Sequence, residues 1–316
     1  MKVSIVLPVF NEARGLPEVA QRIREVFDAQ DYDYEIIFVN DGSRDDSAVV
    51  LNQLASDNSK IKVIHFTRNF GQTPALAAGI EHATGNIIVP MDSDLENHPE
   101  DIPKMIEKMN EGYDIVSGWR RDRWQGQALT RRIPSDVASW LISAISGLKL
   151  HDHGSTLKAY RGDMLKGIRL YGDMHRFIAA YLSWHGARVA EFPINYTPRK
   201  YGKSNYGLNR IFKVILDLVT LKFLTRFFHK PMHFFGGAGL ISIFLGFVTV
   251  AFAIYFKFST VHQKDFISTP LPVLMALFFI VGILLILMGL LAEILVRTYH
   301  ESQNKKTSEI REKINF

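Results

Sequence analysis

Asn86-Ile87-Ile88-Val89-Pro90-Met91-Asp92-Ser93-Asp94 is the stretch on which the fold turns. Its apolar side chains stand at successive positions rather than alternate ones, so both faces of the strand they form must be covered. The strand then stops on two carboxylates separated by one serine. Towards the N-terminus, Val3–Pro8, Tyr34–Val39 and Ile61–Phe66 read as strands of the same kind. Each is followed by a helical pattern, in Leu16–Phe27, Asp46–Ala55 and Thr73–Ala83. Towards the C-terminus, a helical pattern over Pro99–Met109 leads to a short strand at Ile115–Ser117. Strands alternating with helices predict an α/β domain, a Rossmann-like and mostly parallel sheet with helices on both faces. In such sheets ligands gather at the carboxyl ends of the strands.

The polar residues fall at those ends. Asn11 and Glu12 follow the first strand, Asp41-Gly42-Ser43 the second, Arg68-Asn69 the third and Asp92-Ser93-Asp94 the fourth. Any one of these is also ordinary turn and N-cap chemistry, but four at one edge of a sheet point to a site. No Gly-x-Gly-x-x-Gly follows the first strand, and no Gly-x-x-x-x-Gly-Lys-Ser/Thr occurs. Neither a dinucleotide fingerprint nor a P-loop is therefore available to hold phosphates. A hard cation, Mg²⁺ or Mn²⁺, held by carboxylates against a diphosphate is the substitute.

Far downstream, Pro231–Phe256 and Phe266–Ala292 carry no charged side chain. About 20 such residues cross the hydrocarbon core, whereas buried core helices of this character run to about 10–14, so two membrane helices are predicted. The link between them is too short for a domain, which makes them a hairpin. Lys222, Arg226, His229 and Lys230 precede it and Arg297, Lys305 and Lys306 follow it, so the positive-inside bias puts the N-terminal domain and the C-terminal tail in the cytoplasm. Between domain and hairpin, Arg210, Lys213, Lys222, Arg226 and Lys230 recur among apolar residues, as in interfacial amphipathic helices. The expected division is 1–208 catalytic domain, 209–230 interfacial helices, 231–298 hairpin and 299–316 tail. The net charge of +5, much of it beside the spans, reads as attraction to anionic headgroups and not to nucleic acid. The chain has no cysteine, which excludes disulfides and thiolate metal sites. Pro8, Asn11 and Glu12 interrupt the opening apolar run before it becomes a signal peptide. Gly236-Gly237-Ala238-Gly239 and Gly282 to Gly289 offer small residues for close helix packing, and a homo-oligomer is one use for them.

In order along the chain, Leu7-Pro8-Val9-Phe10-Asn11-Glu12, Val39-Asn40-Asp41-Gly42-Ser43, Arg68-Asn69-Phe70-Gly71-Gln72 and Asp92-Ser93-Asp94-Leu95-Glu96-Asn97 resemble the family 2 glycosyltransferases of GT-A fold. Three later segments narrow the resemblance: Ser117-Gly118-Trp119-Arg120, the run Asp152–Arg161, and Arg199-Lys200-Tyr201-Gly202-Lys203-Ser204-Asn205-Tyr206. They are similar to the polyprenyl-phosphate glycosyltransferases, the group of the dolichol-phosphate mannose synthases and the bacterial undecaprenyl-phosphate glucosyltransferases. The resemblance covers essentially the whole chain and implies a bacterial inner-membrane enzyme. It implies that Pro8, Phe10, Glu12, Val39 and Asp41 hold the base and ribose of a nucleotide sugar, with Asp92 and Ser93 against the nucleotide. Asp94, with Asp92 and Glu96, would bind Mg²⁺ or Mn²⁺ on the donor diphosphate. Arg120, Arg199 and Ser204, with Lys203 and Tyr206 beside them, would handle the donor and acceptor phosphates, and Asp152 would sit at the acceptor site. Glu96 stands where many relatives have glutamine, Asn205 replaces a frequent lysine, and Ser155 occupies a site often held by cysteine. Arg120-Arg121-Asp122-Arg123-Trp124 also fits the Arg-x-x-Arg-Trp signature of processive polysaccharide synthases. Here it precedes Asp152 and lacks the additional channel helices, so the match is accidental.

The reaction implied is inverting transfer of one sugar from a nucleotide sugar to polyprenyl (undecaprenyl) phosphate in a membrane. Chain length and hairpin lean to UDP-glucose; GDP-mannose, UDP-N-acetylhexosamine and UDP-aminoarabinose suit the same architecture. A phosphomonoester has its second pKa near 6, so no strong base is needed. Asp152 then serves better as a positioning group than as an obligatory proton acceptor, with His151 and His153 as weaker candidates. A membrane-tethered nucleotide-sugar binder without turnover is the competing class.

Overall fold

The computed structural model describes residues 1–121, 123, 139, 142–144, 146–168, 170, 174–198, 231–258, 269–302 and 309–316. The chain divides into two units, Met1–Val219 with Lys306–Phe316, and Thr220–Lys305.

The first unit is built on an eight-stranded sheet. Its strands are β1 (Lys2–Val9), β2 (Asp33–Asn40), β3 (Ile61–Phe66), β4 (Ile87–Pro90), β5 (Ile115–Trp119), β6 (Lys158–Arg161), β7 (Val189–Pro193) and β8 (Ile310–Ile314), in the order β7-β5-β6-β4-β1-β2-β3-β8. β1 pairs in parallel with β2 and β4, β2 with β3, and β5 with β7, while β6 and β8 run antiparallel to their neighbours.

The successive apolar positions of the central strands are divided between two cores. Val3, Ile5, Leu7, Ile36, Phe38 and Val89 face α1 (Leu16–Asp28), α2 (Ser47–Asp57) and α4 (Ile102–Asn110). Val6, Ile37, Val39, Ile64 and Ile88 face α3 (Gln72–His82), α5 (Gly162–Leu165) and α6 (Ile178–Trp184). In α1 the buried residues Leu16, Val19, Ala20, Ile23 and Phe27 follow the helical spacing of one apolar stripe. α3 lies so close to the sheet that a Cβ on Gly79 would stand 2.3 Å from Val6 Cγ1. Only glycine admits that approach.

The C-terminal residues differ from the sequence expectation. Instead of a tail, they form β8 on the open edge of β3, with Val63, Ile64 and His65 opposite Ile314, Lys313 and Glu312. The register shifts between His65 and Phe66, which turns Ile310 to the α3 side and Ile314 to the α1 side.

Among the described residues the second unit holds a pair of long helices, α7 (Pro231–Phe258) and α8 (Leu271–Ser302). Phe234–Phe258 and Leu271–Ala292 are each long and apolar enough to cross a membrane. The two helices pack on small residues. A Cβ on Gly239 would fall 2.7 Å from the Gly282 carbonyl oxygen, and Ser242 Oγ donates to the Phe278 carbonyl at 2.8 Å. Phe247 meets Phe279 edge-on at 5.1 Å. Gly239 and Gly282 are thus consumed inside the hairpin. The stretch read as interfacial helices, 209–230, lies outside the described residues.

Candidate active site

The loops that follow β1 to β4 are stitched into one surface. Asn11 adopts a left-handed φ of 57°; its N–H donates to Ser43 Oγ and its side-chain oxygen accepts from Arg44 N–H. The Glu12 N–H donates to Ser47 Oγ. Gly42, at φ 64°, is pressed against the next loop, where a Cβ would lie 2.4 Å from the Arg68 carbonyl carbon. Asp41 is buried and accepts from the Phe70 N–H at 2.7 Å and the Gly71 N–H at 2.9 Å. Burial still leaves its carboxyl above the usual range despite those two donors. Asp41 therefore shapes the 69–71 loop as well as lining the cleft.

That cleft, of about 430 Å³, is lined by Pro8, Val9, Phe10, Glu12, Asp41, Asn69, Gly71, Gln72, Asp92, Ser93 and Asp94. Phe10 is 44% exposed, a ring presented to solvent at the mouth of a polar cleft. Ser93 Oγ donates to the Pro8 carbonyl, which ties the β4 turn to β1. Val39, by contrast, is fully buried in the α3-side core. It supports the cleft from below and is not among its lining residues.

A second cleft, of about 200 Å³, shares Gln72, Asp92 and Asp94 with the first and adds Glu96, Arg120, His153, Thr156, Lys158, His175 and Arg176. Asp92 stands between the two with both oxygens held, one by Gln72 Nε2 at 2.9 Å and one by Thr156 Oγ1 at 2.8 Å. Burial, then the neighbouring Asp94 carboxylate, pushes Asp92 up to about 7. Leu95 holds a left-handed φ of 65°, unusual for a branched residue, and lets the Glu96 N–H fold back onto Asp94 Oδ1 at 3.1 Å. Strained backbone of this kind concentrates at functional turns. Among the described residues no three acidic or histidine side chains already converge as a metal cage.

Asp152 is tied to Arg120. The guanidinium forks onto both carboxylate oxygens, Nε to Oδ2 at 2.7 Å and Nη2 to Oδ1 at 3.0 Å, and both residues are buried. Burial alone would raise the Asp152 carboxyl, but the Arg120 charge and its hydrogen bonds hold it below the usual range. Glu191 Oε1 accepts from the His151 and Asp152 N–H groups, and His151 stacks on Trp119 at 4.4 Å. Burial lowers His153 to about 4, and its ring is paired with Ser143 Oγ at 2.9 Å, so it is neutral at physiological pH. Buried Lys158, lowered to about 8 by desolvation, donates to the His153 and Ser155 carbonyls. It props the loop that carries Asp152 and Thr156.

The structure thus brings together Pro8, Phe10, Glu12, Asp41, Asp92, Ser93, Asp94, Glu96, Arg120 and Asp152. Arg199, Lys203, Ser204 and Tyr206 lie outside the described residues. Gln72, Thr156 and Lys158 belong to segments whose order is distinctive, but only the fold shows that they hold Asp92 and the 153–155 loop. His175 and Arg176 belong to no recognisable pattern. They reach the cleft through a short 3₁₀ turn (Met174–Arg176), where Thr73 Oγ1 pairs with His175 Nδ1 at 2.6 Å.

A sheet of this order, with an acidic turn after β4 facing a cleft at the strand ends, defines a class, the GT-A fold. Glucosyl-3-phosphoglycerate synthase from Mycobacterium tuberculosis, solved with Mn²⁺, UDP and phosphoglyceric acid, has this fold. It matches with a TM-score of 0.55 over 71% of this chain and 78% of that one, at 20% identity. Within the class, residues 4–168 match the family described as glycosyl transferase family 2. Dodecaprenyl-phosphate galacturonate synthase from Rhizobium johnstonii is 36% identical over 95% of this chain and 89% of its own length. Undecaprenyl-phosphate 4-deoxy-4-formamido-L-arabinose transferase from Pseudomonas fluorescens is 34% identical over 95% and 86%. The chain belongs to glycosyl transferase family 2 and is a glycosyltransferase.

Proposed function

We propose that this protein transfers one sugar from a nucleoside diphosphate donor to polyprenyl phosphate at a membrane, with inversion at the anomeric carbon. The observation that carries the reading is the meeting of two clefts at Asp92, Asp94 and Gln72. The Phe10 and Asp41 side suits a nucleoside, and the Arg120 and Arg176 side suits the sugar and the incoming phosphate. The names of the two curated relatives supply the acceptor class, and α7 and α8 supply a means of meeting it in the bilayer. β8 returns to the sheet that β1 begins, so a chain that leaves through α7 and comes back through α8 crosses an even number of times. With the basic residues on both flanks of the hairpin, this supports a cytoplasmic catalytic domain.

A divalent cation fits the donor set. Mg²⁺ and Mn²⁺ take one or two carboxylates and complete their shell with substrate phosphates and water, so a preformed cage is not required. Asp92, Asp94 and Glu96 line one cleft, a set of hard oxygen donors of the kind these ions take. Asp94, with Asp92 and Glu96, would hold the ion, which when bound neutralises the leaving diphosphate. The remaining work falls to the chain. Gln72 and Thr156 fix Asp92, and Arg120 places a cation beside the developing phosphate charge. Asp152, held ionised by Arg120, orients that guanidinium and does not take a proton. Arg199 and Ser204, with Lys203 and Tyr206, would receive the acceptor phosphate, already ionised near pH 7.

The donor sugar reads best as one that bears a carboxylate, of the galacturonate kind named for the Rhizobium relative. Arg176 lines the smaller cleft, and an arginine fork suits a carboxylate. Glucose, favoured by chain length and hairpin, is the second reading. Full-length enzyme with undecaprenyl phosphate and Mn²⁺ should show its highest kcat/KM with UDP-galacturonate in a panel containing UDP-glucose, GDP-mannose and UDP-N-acetylglucosamine. Arg176→Gln should lower that value about tenfold or more relative to UDP-glucose, the discrimination expected when a site loses a charge-paired contact. Faster turnover of UDP-glucose, with no donor-specific effect of the variant, would return the assignment to glucose.

A further inference from the structure

We infer that the last eight residues, Glu309–Phe316, are a positioning clasp for the nucleotide-sugar site, and that Glu309 and Asn315 are its anchoring points. The inference rests on the reading of the larger cleft as that site. β8 covers the edge of β3, the strand that runs directly into the 67–71 loop. The clasp's first contact falls where that loop starts: the Thr67 N–H donates to the Glu309 carbonyl at 3.2 Å. Three and four residues further on, the Phe70 and Gly71 N–H groups hold Asp41, and Gln72 opens α3 with its amide on Asp92. The contacts that hold Asp41 and Asp92 therefore hang from the end of a strand whose outer side, among the described residues, is closed by β8. An edge strand without its partner frays first at its ends, and here the frayed end would carry the loop.

The far end of the clasp is fixed independently. Asn315 turns into a left-handed conformation at φ 64° and its amide donates to two carbonyls, Ala55 at 2.7 Å and Ile61 at 2.8 Å. These belong to the end of α2 and the start of β3. Phe316, half exposed, then meets His82 edge-on in the last turn of α3 at 5.3 Å, with Lys62 Nζ 5.1 Å from the Phe316 ring centroid. α3 is thus held near its first residue through the loop and at its last turn through Phe316. A surface tail would need neither an amide that donates to two carbonyls nor a ring laid edge-on against α3. Because β8 follows α8 in the chain, the donor site is completed only after both hairpin helices have been made.

The test uses full-length enzyme in detergent and in lipid vesicles, compared with Asn315→Ala and with a chain ending at residue 308. The readouts are UDP binding in the presence of Mn²⁺ and steady-state kinetics with each substrate varied. Asn315→Ala should raise Kd for UDP and KM for the donor several-fold, and the shortened chain about tenfold or more, the scale of losing one or two hydrogen bonds. KM for polyprenyl phosphate should stay within about twofold, and a synthetic peptide of residues 309–316 should restore UDP binding to the shortened chain. Wild-type donor KM in both variants, or a fall in kcat and folded fraction alone with no change in UDP affinity, would overturn the inference. Failure of the wild-type enzyme to bind UDP at all would instead count against the functional reading on which it rests.

Discussion

Asp152 shows how environment sets a residue's role. It is buried behind Arg120, which lines the smaller cleft, and the Arg120 fork holds it below the usual carboxylate range, so it is ionised and weakly basic wherever the enzyme works. Asp152→Asn should lower kcat on the order of a hundredfold, comparable to losing one preorganised electrostatic group. It should also destabilise the domain by about 3–5 kcal/mol, because one side of a buried, bidentate ion pair loses its charge. The acidic limb of the pH–kcat profile should not move. Disappearance of that limb in the Asn variant would make Asp152 the base. The sequence pointed to Asp41, Asp92, Asp94 and Arg120, which line the two clefts, because they stand in ordered segments at strand ends. Its silence on His175 and Arg176 has a physical cause: a three-residue 3₁₀ turn carries no periodicity, and the turn gains meaning only where Thr73 of α3 meets it.

At the scale of elements, β1 to β5 were legible because burial on both faces writes a continuous apolar run. β6 is four residues long and ends on Arg161, and β7 is only partly buried, so neither leaves such a run. β8 reads Ile-Arg-Glu-Lys-Ile, which resembles a charged tail; its register shift places its two isoleucines on opposite faces and removes the alternation that would have betrayed a strand. The sheet-to-α3 contact makes a sharper test. Gly79→Ala puts a methyl 2.3 Å from Val6 Cγ1 and 3.2 Å from Val39 Cγ2 in a core with no slack. Overpacking of this sort costs about 1–3 kcal/mol, so thermal unfolding should shift down by several degrees. An unchanged Tm would mean that α3 does not sit this close to β1.

For the whole molecule, the uncharged runs made the hairpin readable at once, since little but a bilayer asks for so many apolar residues in succession. The return of the chain to the sheet was not readable, because pairing between β3 and β8 joins residues about 250 positions apart in the chain and depends on tertiary context. The sequence alone would suggest that a chain cut before Pro231 keeps a complete donor site; with β8 in place, such a cut also strips the edge of β3. The central claim is sugar transfer from a nucleotide donor to a lipid phosphate, and it is tested most directly by following labelled sugar. Purified full-length enzyme, undecaprenyl phosphate, Mn²⁺ and a UDP-sugar labelled in the sugar should yield label that partitions into the organic phase and is released by mild acid. UDP should appear in equal amount, and the label should vanish with EDTA or in Asp94→Asn. Equal UDP release with and without undecaprenyl phosphate, and no label in the lipid, would contradict the account.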